Sequence, residues 1–368
     1  MNKLKIALVK QEVYQDLYVC PVTEKDPGQI LFSSMGRVGP IALMSDLNAD
    51  FYIVKEESNK ETRIYQKVIP HIAPYLHLLK TETLDKIPGQ EFKSPGSPYP
   101  NGKYAVSCYT IDWGQYDIVI SINISLPTQL ILKYPQTLFA YMIGEANMAT
   151  GKARFGYDAT LNQMARGRIS HKCGAIDFPY TFVAKDTLEK IMQQYLGRPS
   201  ARKGIFMEIN STTERPVTRI PDHFQPLADA GYEIILHQQK IADNLKNIYD
   251  AKYFVKMGGR SIRGNSVAEA VSLGTLAIMN RDEVIHHELI IDECNVKTMD
   301  EMISLINRLE NDPELYRTLQ QKQRQVLHTY FFDAPLQSLI NCLKEKRGLS
   351  KPRTYSRWNR LFDNLYFL

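Results

Sequence analysis

Short apolar runs of strand length, separated by stretches with helical spacing, recur along this chain and constrain its fold more than any other feature. In the first half, "LKIALVK" at Leu4–Lys10, "DFYIVK" at Asp50–Lys55, "YDIVISINI" at Tyr116–Ile124 and "TLFAYMIGE" at Thr137–Glu145 read as strands. Between them "GPIALMSDLNA", "HIAPYLHLLKTETLDK" and "LPTQLILKYP" read as helices. Strands that alternate with helices in this way build α/β units around a parallel sheet. The scheme starts again further on. "GIFMEIN", "YEIILH" and "TLAIMN" read as strands, and "PDHFQPLADAG" and "VAEAVSLG" as helices closed by Gly231 and Gly274.

A helix over Asp186–Leu196 stops at Gly197, and the Pro/Ser/Arg-rich stretch that follows reads as a linker. A chain of 368 residues is also long for one hydrophobic core. The expected organisation is an N-terminal α/β domain over 1–196, a linker over 197–203, a second α/β domain over 204–332, and a helical segment and tail over 333–368. The expected fold class is α/β, with two Rossmann-like domains facing a central cleft. Ligands of such folds bind outside the carboxyl ends of the strands. "GQEFKSPGSPYPNG", Gly89–Gly102, holds too much Pro, Gly and Ser for a packed element. It reads as a surface loop, either a plain connector or a mobile loop over a cleft.

The formal net charge of +5 suits an anionic ligand and is far from a nucleic-acid-binding signature. Five scattered cysteines, none in a C-x-x-C pair, argue against a disulfide framework or a zinc site. The first residues read as a strand rather than a signal peptide, and no apolar run has transmembrane length. A cytoplasmic location is expected.

The chemistry concentrates in "GGRSIRGNSVAEAVSLGTLAI", residues 258–278. Its glycines, Gly264 among them, let backbone approach a ligand closely. Arg260 and Arg263 offer forks suited to phosphate. Asn265 and Ser266 stand where a helix begins, and its N-terminus attracts anions. "GRSIRGNS" has the glycine spacing of a P-loop, but Asn265 occupies the lysine position, and no G-x-G-x-x-G is present. A nucleoside triphosphatase or a dehydrogenase is a poor reading. "SVAE" also reads as a capping box, in which Ser266 and Glu269 satisfy each other's backbone amides and no ligand is implied.

The Gly/Arg-rich turn, the E-A-x-x-x-G of Glu269 to Gly274, the strand after it and the late helices around "NDPELYRTLQ" resemble the donor-binding half of GT-B glycosyltransferases, in particular exostosin-like and related branches. The resemblance covers Gly204–Phe332 in sequence and the first half in layout alone. It implies that Glu269 holds the ribose of a sugar nucleotide. It implies that Arg260 or Arg263, Ser261, Gly264, Asn265 and Ser266 hold the diphosphate. His237, at a strand terminus, reads either as a polar strand cap or as a group near the base or ribose. Ser261 stands where retaining members carry a second Glu, and Ala277 where Pro is common, so inversion is expected. No D-x-D occurs, so chemistry without a metal or other cofactor is expected.

An inverting transfer needs a base beside the acceptor hydroxyl. Glu145, after an apolar strand, is the first candidate and Asp112 the second, with Asp46 and His71 behind them. Each also reads as an ordinary cap or turn residue. Lys152, Arg154, Arg166 and Arg168 form a basic segment for an anionic acceptor or the donor diphosphate, or a solvated surface. The expected partners are a nucleotide-sugar donor and a glycan or glycoconjugate acceptor, with no nucleic acid. Trp358, Leu361, Phe362, Leu365 and Tyr366 in the basic tail suit packing on the first domain or a second subunit, or else peripheral contact with an anionic membrane. Two other functions fit the same scaffold. A binding module would take nucleotide or glycan without turnover, and a sugar-nucleotide epimerase would need no acceptor.

Overall fold

The computed structural model describes residues 4–11, 46–55, 73–80, 108–122, 126, 128–143, 156–162, 176–177, 187–208, 217–238, 241–258, 265–351 and 353–361. They form two compact α/β units. Described residues up to 177 and from 333 onward belong to the first, and those from 187 to 332 to the second. The described helices are α1 (Thr128–Leu132), α2 (Thr187–Leu196), α3 (Gln225–Asp229), α4 (Ile241–Asp250), α5 (Asn265–Ser272), α6 (Met299–Asn311), α7 (Pro313–His328) and α8 (Ala334–Gly348).

The first unit holds β1 (Ile6–Gln11), β2 (Asp50–Lys55), β3 (Leu76–Lys80), β4 (Ile118–Ile122), β5 (Leu138–Ile143), β6 (Ala159–Asn162) and β7 (Ile176–Asp177). Every pairing is parallel, in the order β3-β2-β1-β4-β5-β6-β7. This is a doubly wound sheet whose direction of winding reverses between β1 and β4. Ile6, Ala7, Leu8 and Val9 are all buried, so both faces of β1 are covered, which is why the run is apolar without alternation.

The second unit holds β8 (Ile205–Met207), β9 (Ile234–Ile235), β10 (Tyr253–Lys256) and β11 (Leu276–Met279), all parallel, in the order β11-β10-β8-β9. Here the winding reverses between β8 and β10.

Four elements differ from the sequence reading. "HIAPYLHLLK" is a short 3-10 turn at Ala73–Tyr75 and then β3, not a helix. Pro74 lies in that turn, where it breaks helix, and the ladder with β2 from Phe51–Leu76 to Lys55–Lys80 overrides the local spacing. β6 lies inside the stretch read as a basic segment. β10 is a strand that the reading passed over. α2 packs within the second unit, although the sequence assigns it to the first. The loop Gly89–Gly102 lies outside the described residues.

The placement of α2 has a specific cause. Arg202, in the left-handed region at φ 45°, donates from Nη2 to the Leu273 carbonyl at 2.7 Å and to Glu189 Oε1 at 2.6 Å. Arg324 of α7 takes the other oxygen of Glu189. A cation thereby closes the carboxyl end of α5, and α2 and α7 are bound to it. Gly274 follows at φ 80°, and a Cβ there would run into the guanidinium groups of both Arg202 and Arg324. Gly274→Ala is therefore expected to cost about 1–3 kcal/mol from the backbone alone, and more from displacing the arginines. An unchanged melting temperature would refute this.

Asp250, at the end of α4, adds a pH-dependent tie. Burial opposes its ionisation. The Arg198 guanidinium, at 2.7 and 2.5 Å, and the Ala201 amide outweigh burial and hold the carboxyl below the usual Asp range. The folded value lies below the unfolded one, so this stabilisation is present above the ordinary Asp range and is lost as pH falls through the folded value. Asp250→Asn is expected to melt earlier than wild type at neutral pH. The gap should close in acid, and a pH-independent gap would contradict the assignment.

At the other end of the chain α8 packs on β5. Lys346 Nζ donates to the Thr137 carbonyl at 2.6 Å and to Asp158 Oδ2 at 2.8 Å, and Arg347 pairs with Asp117 Oδ1 at 2.7 Å. Among the described residues no helix is long and apolar enough to cross a membrane.

Candidate functional site at the carboxyl edge of the second sheet

Strand order in the second unit sets the order of side chains along its carboxyl edge. Glu283 lies beyond β11, Lys256 ends β10, Glu208 follows β8 and His237 lies beyond β9. Acid, base, acid and imidazole thus succeed one another across the point where winding reverses. Such points bind ligands in doubly wound sheets.

Lys256 is fully buried. Its Nζ donates to Glu283 Oε2 at 2.6 Å and to the Gly258 carbonyl at 2.8 Å. Glu283 Oε1 accepts from the Gly258 amide at 2.9 Å. Gly258 has φ 71°, which glycine adopts without strain. The two charges therefore hold both polar groups of the residue at which the chain leaves β10. Glu283 is itself placed by the 3-10 turn Arg281–Glu283, whose cap Asn280 accepts from the Asp282 amide.

His237 and Glu208 are also buried, with Nε2 4.0 Å from Glu208 Oε1. The Gln238 carbonyl accepts from His237 Nδ1 at 2.8 Å and from Asn244 Nδ2 at 2.7 Å, and Asn244 Oδ1 accepts from the Gln238 amide at 2.6 Å. The bond at Nδ1 fixes the ring and turns Nε2 toward Glu208.

α5 begins at Asn265. Ser266 is its second residue and half-buried, so it is inside the helix and not its cap. The capping-box reading of "SVAE" does not fit that position. A complete capping box exists instead at Thr298 and Glu301, at the start of α6. Glu269 lies further along α5 and is 6% exposed. It is a carboxylate buried midway along the eight residues of α5, the fifth of them.

Of the residues the sequence singles out, Glu269, His237, Asn265 and Ser266 belong to the second unit, around β9, β10 and α5. Arg260, Ser261, Arg263 and Gly264 lie outside the described residues, as do Glu145, His71, Lys152, Arg154, Arg166 and Arg168. Asp112 is exposed and caps the turn Trp113–Gln115, accepting from the Gly114 amide at 3.0 Å. That turn precedes β4, so Asp112 stands at the amino end of the first sheet. Asp46 is half-buried just before β2.

Sequence reasoning missed Lys256, Glu283, Glu208 and Asn244. Two signals were present. "GIFMEIN" carries a glutamate straight after its apolar run, and "YFVKMGG" a lysine between an apolar run and paired glycines.

No protein-family model and no curated protein sequence matches the chain. Solved structures are similar to it at low identity. Sucrose-phosphate synthase from Thermosynechococcus elongatus is 13% identical with a TM-score of 0.47, covering 94% of this chain and 99% of its own. Anabaena HepE in complex with UDP and glucose is 10% identical with a TM-score of 0.43, covering 94% and 100%. T4 phage BGT in complex with UDP and Mn2+ is 11% identical with a TM-score of 0.39, covering 94% and 100%. The last of these, solved with both UDP and Mn2+, corrects the expectation of chemistry without a metal or other cofactor. Among the described residues no three His, Cys, Asp or Glu side chains converge to hold such an ion.

Proposed function

We propose that the chain is a glycosyltransferase of GT-B type, which takes a nucleoside-diphosphate sugar at the carboxyl edge of the second sheet and passes the sugar to a hydroxyl of a glycan or glycoconjugate. One observation carries the reading. β10, the Gly258 turn and α5 succeed one another at the reversal point, and the buried Lys256–Glu283 pair braces the turn. This geometry suits a diphosphate, which a helix N-terminus attracts and which close backbone approach accommodates.

In this reading Glu269 takes the ribose hydroxyls, and Asn265, Ser266 and the arginines 260 and 263 take the diphosphate. Ser261 and Gly264, which stand beside the arginines in sequence, serve the same diphosphate in this reading. His237 lies on the base or ribose side. Glu145 is the proposed base, since β5 ends at Ile143, just before it in sequence. Asp112, at the amino end of its sheet, is the weaker choice. The base removes the acceptor hydroxyl proton, and the oxygen forms its bond to the anomeric carbon as the bond to the diphosphate breaks. The negative charge that develops on the diphosphate is met by the amino end of α5 and the arginines.

Thermal melting of the full chain with UDP, GDP, CMP, dTDP and ADP, each with Mn2+ and with EDTA, tests the reading. A nucleotide at ~100 times its dissociation constant adds ~2.7 kcal/mol of stability. A selective shift with one diphosphate is expected. A folded protein that none of them shifts would overturn the proposal.

A further inference from the structure

The last described residues present a surface that the proposed transfer reaction does not need. From residue 344 to 361 seven Lys and Arg side chains stand against one acid, Glu345. Three of them, Lys346, Arg347 and Arg353, pair with Asp158 and Asp117 and hold the segment to the first unit. Lys344, Lys351, Arg357 and Arg360 are exposed and make no ion pair among the described residues.

The apolar side chains are equally concentrated. Among the described residues five large hydrophobic side chains are exposed. All but Ile285 lie in this segment: Leu349, Tyr355, Trp358 and Leu361. Trp358 is the most exposed, at 69%. The turn that carries it is ordered by its own cap. Ser356 Oγ accepts from the Asn359 amide at 3.1 Å, and Asn359 Oδ1 accepts from the Ser356 amide at 2.9 Å. Trp358 and Leu361 are three residues apart on one helical face, and Arg357 and Arg360 repeat the spacing beside them. Exposed Trp and Leu flanked by cations match the boundary between lipid headgroups and acyl chains. Leucines have no role in stacking on nucleobases, and the near absence of acids leaves a second copy of this surface no charge to meet.

We infer that residues 344–361 are a landing surface for an anionic lipid bilayer, with Trp358 and Leu361 entering the headgroup region and the unpaired cations meeting lipid anions. The inference is independent of the proposed reaction.

The test uses the full chain. It has two tryptophans, and Trp113 is fully buried, so a fluorescence change on mixing with vesicles reports Trp358. Vesicles of phosphatidylcholine with phosphatidylserine are expected to co-sediment the protein and shift its emission to the blue, and salt should weaken both effects. Phosphatidylcholine alone should do neither. Arg357→Gln with Arg360→Gln is expected to lower the partition about 30-fold, at roughly fivefold per cation. Trp358→Ala with Leu361→Ala should abolish it, with melting unchanged because these side chains are exposed. No sedimentation with anionic vesicles overturns the inference. So does capture by a single-stranded oligonucleotide in their place, or a dimer in sedimentation velocity that shields Trp358.

Discussion

Lys256→Ala is expected to destabilise the second unit by about 3–5 kcal/mol, the usual effect of removing one partner from a buried ion pair. Lys256 is fully buried, and Glu283 is only 16% exposed on its side chain. Without the ammonium, Glu283 keeps the Gly258 amide as a partner but loses the cation at 2.6 Å. The Gly258 carbonyl loses its donor too. A drop of roughly 10 °C in melting temperature follows for a unit of this size. Lys256→Met with Glu283→Gln should recover most of the loss. It removes both charges, keeps a side-chain carbonyl for the Gly258 amide, and replaces the stem with one of similar volume. The variants also separate stability from ligand binding, because the turn at Gly258 leads into the proposed diphosphate loop. The double variant is expected to fold and to bind nucleotide more weakly than wild type. A loss below about 1 kcal/mol in the single variant would mean that the pair is solvated and braces nothing.

Glu269→Gln is expected to leave the fold intact and to weaken nucleotide binding roughly 10- to 100-fold. Hydrogen bonds to a charged group contribute about 1.5–3 kcal/mol, and each 1.4 kcal/mol is a factor of ten. The glutamine keeps the shape and one acceptor but loses the charge that two ribose hydroxyls would share. Glu269→Ala removes both acceptors and should weaken binding further. Titration calorimetry with the nucleotide selected by thermal melting reads the effect directly. The opposite outcome is equally informative. A variant that loses stability yet binds nucleotide with unchanged affinity would make Glu269 an internal structural carboxylate, and the ribose would need another partner.

The alternation of strand and helix was legible because parallel sheets covered on both faces demand continuous apolar runs, and β1, β2, β4 and β5 supply them. β10 was harder to see. It has four residues, one of them a lysine, and its strand character comes from the neighbours β8 and β11. β3 was misread for a related reason. "HLLK" fits either period, and only the ladder with β2 decides between them. At the site, Glu269 stood out through its spacing from Gly274, which survives in the folded helix and its glycine end. Lys256, Glu283 and Glu208 did not stand out. They lie on separate strands and turns, and a charge row along a sheet edge exists only once strand order is known. Sequence gives no measure of burial for a lysine, and burial is what turns Lys256 from a solvated side chain into a brace.

The Arg202–Glu189–Arg324 contact under Gly274 bears on how the chain can be dissected. A fragment cut at Gly204, where the linker suggests a boundary, would lack α2 and both Arg198 and Arg202. The carboxyl end of α5 would be left without its cation, Arg324 without its carboxylate, and Asp250 without its guanidinium. A fragment able to fold alone has to start ahead of Thr187. Supplying residues 187–203 as a separate peptide should restore a fragment cut too late, so that two pieces which are each poorly folded become one stable body when mixed.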